Sequence, residues 1–144
     1  MIEEYLHEHI PLSRAMEVSV MKADETGVVL SAPLEPNINH RETVFGGSAS
    51  SIAILAAWSV VHFGLQREGV SCRVVIRKNA MSYDRPIAGG FTARCDAPAA
   101  EAWQRFLAVL RRRKIARIVL VSVLEFEGEV AGKMEGVFAA IVTA

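Results

Sequence analysis

The chain has 144 residues, enough for one domain with its own core, and it carries 16 basic and 16 acidic residues. That balance argues against a general affinity for nucleic acid or anionic membranes. A hydrophobic content of 51 % is slightly high for a soluble domain and fits a dimer that buries part of its surface. The acidic N-terminus lacks the features of a signal peptide, so we expect a single cytoplasmic domain over residues 1–144.

The two cysteines predict no special chemistry. Cys72 and Cys95 are isolated, and their spacing is not that of metal ligands. Both lie in apolar, strand-like segments, and we interpret them as buried thiols rather than as a disulfide or a nucleophile. The sequence therefore predicts neither a metal site nor a resident cofactor.

The first third of the chain predicts a helix followed by two strands. A short amphipathic helix over residues 3–10 ends at Pro11. Alternating apolar and polar residues then predict strands over 16–20 and 28–34, joined by a turn over 24–27. A loop dense in polar side chains follows.

The next stretch, Thr43 to Gln66, contains no charged side chain. It is either a membrane span or a helix buried in a soluble domain. Its strongly apolar part, residues 52–65, is nearer the length of a core helix than the ~20 residues of a span. Strands with alternating apolar and polar residues elsewhere in the chain present apolar faces, and another apolar element must pack on those faces. We therefore predict a buried helix over about 46–66.

The rest of the chain predicts four more strands and one further helix, in the overall order α-β-β-α-β-β-α-β-β. The predicted strands cover residues 72–81, 91–95, 115–126 and 130–142, and the helix covers about 98–113. This helix ends in a basic cluster, Arg111 to Lys114, and cations are stabilising near the free carbonyls of a helix C-terminus. The cluster suits either a solvated helix end or a phosphate contact.

Long antiparallel strands around one apolar helix resemble the hotdog fold of acyl-CoA thioesterases and dehydratases, an α+β architecture. More narrowly, the chain resembles the thioesterase domain of the YiiD C-terminal type. The residues that carry the resemblance are Asn37, Asn39, Thr43, Phe45-Gly46-Gly47-Ser48, Trp58 and Tyr83-Asp84-Arg85-Pro86.

The resemblance implies a homodimer, or a dimer of dimers, with acyl tunnels at the subunit interface. Its substrate would be an acyl-CoA or an acyl-carrier protein, with coenzyme A present only as part of the substrate. The thioester carbonyl would meet the N-terminus of the central helix. Backbone N–H groups there stabilise the charge that develops on the carbonyl oxygen, and Gly46 and Gly47 permit close approach.

The sequence departs from better-known hotdog thioesterases at two positions. Phe45 stands where those enzymes have histidine, and Ile54 stands where they have an acid in the helix. A general base must reach the water it activates. The candidates are His40 and Glu42 in the loop, or a residue from the partner subunit such as Asp84.

We therefore predict two groups of site residues. The first polarises the carbonyl or positions water: Asn39, His40, Gly46, Gly47 and Ser48. The second contacts the substrate: Phe45, Ser51, Trp58, Tyr83, Arg85, Arg77 and Lys78. Some of these residues have a plainer interpretation, since Ser48 and Ser51 suit a helix cap and close packing, while Tyr83 and Arg85 suit a turn and an interface.

Three functions remain open from the sequence. The first is hydrolysis of acyl thioesters by water. The second is non-catalytic binding of acyl groups or acyl-CoA, which Ile54 at the acid position favours. The third is hydration or dehydration on the same fold, which needs a histidine and an acid together and has only His40 with Glu42 to offer.

Overall fold

The computed structural model describes residues 1–143, which form one antiparallel sheet with helices packed on it. The helices are α1 (Ile2–His9), α2 (Pro11–Ala15), α3 (Gly46–Arg67) and α4 (Ala100–Arg113), with a 3₁₀ turn at Glu35–Asn37. The strands are β1 (Ser19–Asp24), β2 (Gly27–Ala32), β3 (Cys72–Tyr83), β4 (Phe91–Asp96), β5 (Ile115–Phe126) and β6 (Glu129–Val142). Their order across the sheet is β1-β2-β4-β5-β6-β3.

The long apolar helix α3 is the centre of the core, as the sequence predicts. It contacts five of the six strands, from β2 to β6, because the twisted sheet curves around it. On β5 the residues with even numbers from Ala116 to Leu124 face α3 and are buried. One of them, Ser122, donates a hydrogen bond of 2.7 Å to the carbonyl of Ala53 in α3.

By length and composition, α3 is the one helix within residues 1–143 that qualifies as a membrane span. Most of its apolar stretch is buried against the sheet. This is the environment of a core helix, which needs an apolar surface on nearly all sides when a sheet surrounds it.

A stack of four rings attaches α1 to α3. The ring of His9 stacks on Tyr5, Tyr5 stacks on His62, and His62 stacks on Trp58. Burial lowers the pKa of His62, and the nearby His9 lowers it further. The neutral imidazole therefore packs as an aromatic ring, and α1 covers part of α3 that the sheet leaves open.

The predicted strand over residues 16–20 is wrong in its position. Pro11 does not simply end a helix: it begins α2, since proline is tolerated in a first helical turn. Glu17 then has a positive φ of 56°, which breaks the extended backbone that the alternation suggests. The strand begins only at Ser19, and the predicted hairpin turn before Gly27 is confirmed.

Asn37 anchors the loop that leads to α3. It is 2 % exposed, and its Nδ2 donates to the carbonyls of Met16 (3.0 Å) and Pro33 (2.8 Å). Its own carbonyl accepts the backbone N–H of Phe45 at 2.7 Å. The Asn37 side chain thus connects the loop before α3 to Met16, which lies between α2 and β1, and its backbone carbonyl holds Phe45.

We expect Asn37→Ala to lower the free energy of unfolding by about 2 kcal/mol, because the buried carbonyl of Met16 and the partly buried carbonyl of Pro33 lose their donor. Urea denaturation followed by circular dichroism measures this change. The control is Gln104→Ala, which removes an exposed side-chain amide on α4. Equal stability of the two variants would show that Asn37 does not anchor the loop.

Candidate active site

The start of α3 lies at the end of a firmly held loop. The backbone N–H of Val44 donates to Ile87 O, and that of Phe45 donates to Asn37 O. Phe45 is the N-cap residue, with extended backbone, and no side chain caps the helix. Within residues 1–143, the N–H groups of Gly46, Gly47 and Ser48 have no hydrogen-bond partner.

Three free N–H groups at the start of a 22-residue helix form a site for negative charge. A carbonyl oxygen that becomes an oxyanion during attack matches such donors, provided that they are already oriented. The predicted role of Gly46, Gly47 and Ser48 rests on this geometry. Ser48 itself is half-buried and does not cap the helix with its hydroxyl.

Two exposed aromatic rings flank the helix start. Phe45, which is 57 % exposed, places its ring where a side chain on Gly47 would otherwise lie, 2.4 Å from the ideal Cβ position. Tyr83, 58 % exposed, lies over Gly46, and its hydroxyl donates to the Gly46 carbonyl at 3.2 Å. Glycine at position 47 therefore lets the Phe45 ring approach the backbone, whereas a Cβ at Gly46 would lie in ordinary contact with the Tyr83 ring.

A pocket of about 260 Å³ opens beside Gly46. Asp84 is the one carboxylate among its lining residues, and it adjoins Tyr83 at the end of β3. The lining residues are Val44, Gly46, Ala49, Tyr83, Asp84, Arg85, Pro86, Ile87, Leu124 and Ala131. Arg85, the cation next to Asp84 in the sequence, forms an ion pair with Glu129 rather than with Asp84.

Asp84 therefore lines a pocket beside the helix start of its own chain. The alternative that Asp84 reaches the site of a partner subunit stays a prediction. The backbone N–H groups of Asp84 and Arg85 both donate to Ala131 O, at 2.9 and 3.1 Å. These bonds fix the turn that carries Asp84.

Asn39 organises the loop before α3. Its Oδ1 accepts the backbone N–H groups of Arg41 (2.8 Å) and Thr43 (3.1 Å). Its Nδ2 donates to the Thr43 hydroxyl at 2.9 Å. Both ends of the amide are thus engaged within the loop, as in a turn stabilised by an asparagine side chain.

The other two loop candidates lie at the surface. His40 and Glu42 are exposed, and Glu42 has a positive φ of 64°. His40 Nε2 has Arg41 Nε as its neighbour at 3.4 Å. Neither residue lines the pocket beside Gly46.

One stripe of α3 is less buried than the rest and continues from the helix start. Ser51, Ile54 and Trp58 are half-buried and recur at helical spacing. Trp58 Nε1 donates to Val74 O of β3 at 2.9 Å. The helix carries no acid at Ile54 or elsewhere, as the sequence predicts, and the stripe suits an apolar chain lying along α3.

The predicted phosphate contacts fall into two places. Arg77 and Lys78 are exposed in the middle of β3, where the register with β6 shifts. The cluster at Arg111 to Lys114 ends α4, and Arg111 lies 3.8 Å from Glu68 just past α3. Because α3 is about 33 Å long, this cluster lies at the far end from Gly46 of the same chain.

Sequence reasoning missed the contact between Tyr83 and Gly46. It treated Tyr83 as a substrate contact or a turn residue, and no periodicity shows which residue of another strand meets the start of a helix. The sequence does place Tyr83 immediately before a predicted turn, and a residue at the end of a long strand is in a position to contact a neighbouring element.

Comparison with known proteins decides the family. Residues 1–142 match the family model described as "Putative thioesterase (yiiD_Cterm)". The chain belongs to this YiiD C-terminal thioesterase family.

Solved structures agree with this family and with the hotdog fold. A protein of unknown function from Chlorobaculum tepidum TLS is 31 % identical, with a TM-score of 0.93, and the match covers 98 % of this chain and 92 % of that one. A structure described as the putative thioesterase from Shewanella oneidensis is 24 % identical over 96 % of this chain and 94 % of its own, with a TM-score of 0.86. A probable thioesterase from Pseudomonas aeruginosa is 17 % identical, with a TM-score of 0.84, over 99 % and 95 % of the two chains.

Proposed function

We propose that the protein hydrolyses acyl thioesters of coenzyme A or of an acyl-carrier protein, with the cytoplasm as its expected compartment. The observation that carries the proposal is the uncapped start of α3 in a chain of a thioesterase family: three N–H groups lack a partner within residues 1–143, and Gly46, the first of these residues, lines a pocket. A thioester carbonyl is neutral when it binds and gains negative charge when it is attacked. The N–H groups therefore stabilise the transition state more than the bound substrate.

Asp84 is the residue that we assign to the water. Water attacks the carbonyl carbon while the Asp84 carboxylate takes one of its protons, and the oxygen of the carbonyl becomes an oxyanion at the helix start. The oxyanion then collapses, the C–S bond breaks, and the proton passes to the departing sulfur. The products are a carboxylic acid and a free thiol. His40 and Glu42 remain the alternative bases in this scheme.

The proposal includes a homodimer formed through β3. This strand has twelve residues, pairs with β6 on one side, and has no pairing partner on the other within residues 1–143. The opposite edge differs, because α1 covers it: Glu3 accepts the N–H of Val20, and His7 contacts Val18 O. A long unpaired edge pairs readily with a second chain, and such a seam would cover the half-buried stripe on α3.

Ile54 supports a second candidate, a domain that binds acyl thioesters without cleaving them. An apolar residue at this point of α3 gives a binding surface but no base. The two functions share the pocket and the helix start, and they differ only in turnover.

The test is release of free thiol from a panel of acyl-CoA and acyl-carrier thioesters of increasing chain length. Thermal melting with the same compounds measures binding separately. Thiol release above the rate of the uncatalysed reaction supports hydrolysis. Raised melting temperatures without any thiol release would support the binding function and reject the enzyme.

A further inference from the structure

Tyr83 is the one side chain within residues 1–143 that forms a hydrogen bond to the first turn of α3. Helix starts usually have a serine, threonine, aspartate or asparagine whose side chain holds the free N–H groups. Here that place is taken by Phe45, which has no such group. The N–H groups thus remain available to a substrate, and no capping side chain holds them in position.

The Tyr83 hydroxyl acts on the carbonyl of the peptide that joins Gly46 to Gly47. The other polar group of that peptide is the N–H of Gly47, one of the three free donors. A hydrogen bond accepted at the carbonyl fixes the orientation of the peptide plane and polarises it, so the N–H becomes a stronger donor. The contact therefore affects the site without touching the substrate.

The ring of Tyr83 adds a second constraint. Its Cε1 and Cζ atoms lie 3.5 and 3.6 Å from the ideal Cβ position of Gly46, which is ordinary van der Waals contact. The ring covers one side of the glycine and limits the backbone motion that glycine otherwise permits.

The strand that carries Tyr83 is held by pairing and hydrogen bonds at this point. Tyr83 pairs with Gly132 of β6, and a Cβ on Gly132 would lie 2.6 Å from the carbonyl of Ser82. The strands therefore approach closely, and the two hydrogen bonds to Ala131 fix the residues that follow. Tyr83 thus connects the paired end of β3 to the helix start.

We propose that Tyr83 is a positioning residue: its hydroxyl orients and polarises the Gly46–Gly47 peptide that binds the thioester carbonyl. The inference rests on the proposed function, because it assigns a role within the same site. It predicts that the hydroxyl and the ring make separable contributions.

The test compares Tyr83→Phe with the wild type in steady-state thiol release. We expect kcat to fall about three- to tenfold, the effect of losing one neutral hydrogen bond, with little change in KM. The control is Tyr5→Phe, which removes a hydroxyl that makes no hydrogen bond within residues 1–143 and keeps the stacked ring. If only the ring mattered, Tyr83→Phe would match the wild type in kcat, and the proposal would be rejected.

A second measurement does not depend on activity. Backbone ¹⁵N relaxation is expected to show lower order for Gly46 and Gly47 in Tyr83→Phe, and unchanged order for Gly64 in the interior of α3. Unchanged order at all three glycines would contradict the inference even if the enzyme is active. A wild type without turnover would reject the proposed hydrolysis, and the relaxation data would still decide the role of Tyr83.

Discussion

Gly46→Val is expected to lower kcat/KM for acyl thioesters by about a hundredfold or more, the scale of losing an oriented oxyanion donor. A single methyl group at Gly46 would lie in ordinary contact with the Tyr83 ring. Valine adds two further methyl groups, which displace the ring or occupy the pocket where the carbonyl binds. Its Cβ branching also stiffens the side chain, so the methyl groups cannot rotate away.

The matched variant is Gly46→Ala, which fits the observed space and should keep most of the activity. Both variants are expected to remain folded, because residue 46 is only half-buried and lies in the first turn of α3 rather than in the core. Circular dichroism and size-exclusion chromatography check the fold and the oligomeric state, and thiol release measures kcat/KM. Full activity in Gly46→Val would show that the carbonyl does not bind at the helix start.

Asp84→Asn is expected to lower kcat by about a hundredfold or more, the usual effect of removing a general base. The amide keeps the size of the side chain and loses the ability to take a proton from water. Because Asp84 is exposed and lines the pocket beside Gly46, the fold and KM should change little. The measurement is thiol release at saturating substrate.

Two further variants make the result specific. Glu135→Gln neutralises an exposed carboxylate on β6 and should leave kcat unchanged. Asp84→Ala leaves space for a small carboxylate, so added formate should restore part of its activity in proportion to concentration. If Asp84→Asn is fully active while His40→Ala or Glu42→Gln is not, the base belongs to the loop instead.

The fold was predictable because its signals are periodic. The charge-free stretch predicts α3 almost to its ends, and the regular alternation of buried residues in β5 predicts the face turned to the helix. The first strand was misplaced because alternation near Met16 does not reveal the backbone reversal at Glu17. A local positive φ leaves no trace in a hydrophobic pattern.

The site was predictable only in part. Two adjacent glycines, Gly46 and Gly47, indicate in the sequence that another group approaches the backbone closely at this point. Asn39 is different: a polar residue in a loop suits a turn as well as a substrate, and only the hydrogen bonds to Arg41 and Thr43 show that it organises the loop. Tyr83 contacts α3, and Asp84 lines the pocket beside it, through tertiary structure that depends on sheet order rather than on local sequence.

The donors at the start of α3 belong to the backbone, and this affects how such a site can evolve. Side-chain substitutions remove a catalytic histidine or acid in a single step, but they leave the N–H groups of a helix in place as long as the helix starts at the same residue. In the proposed function, carbonyl binding is therefore the property most resistant to sequence divergence. We expect descendants of this site to lose or exchange their bases repeatedly while they continue to bind acyl thioesters at the same helix.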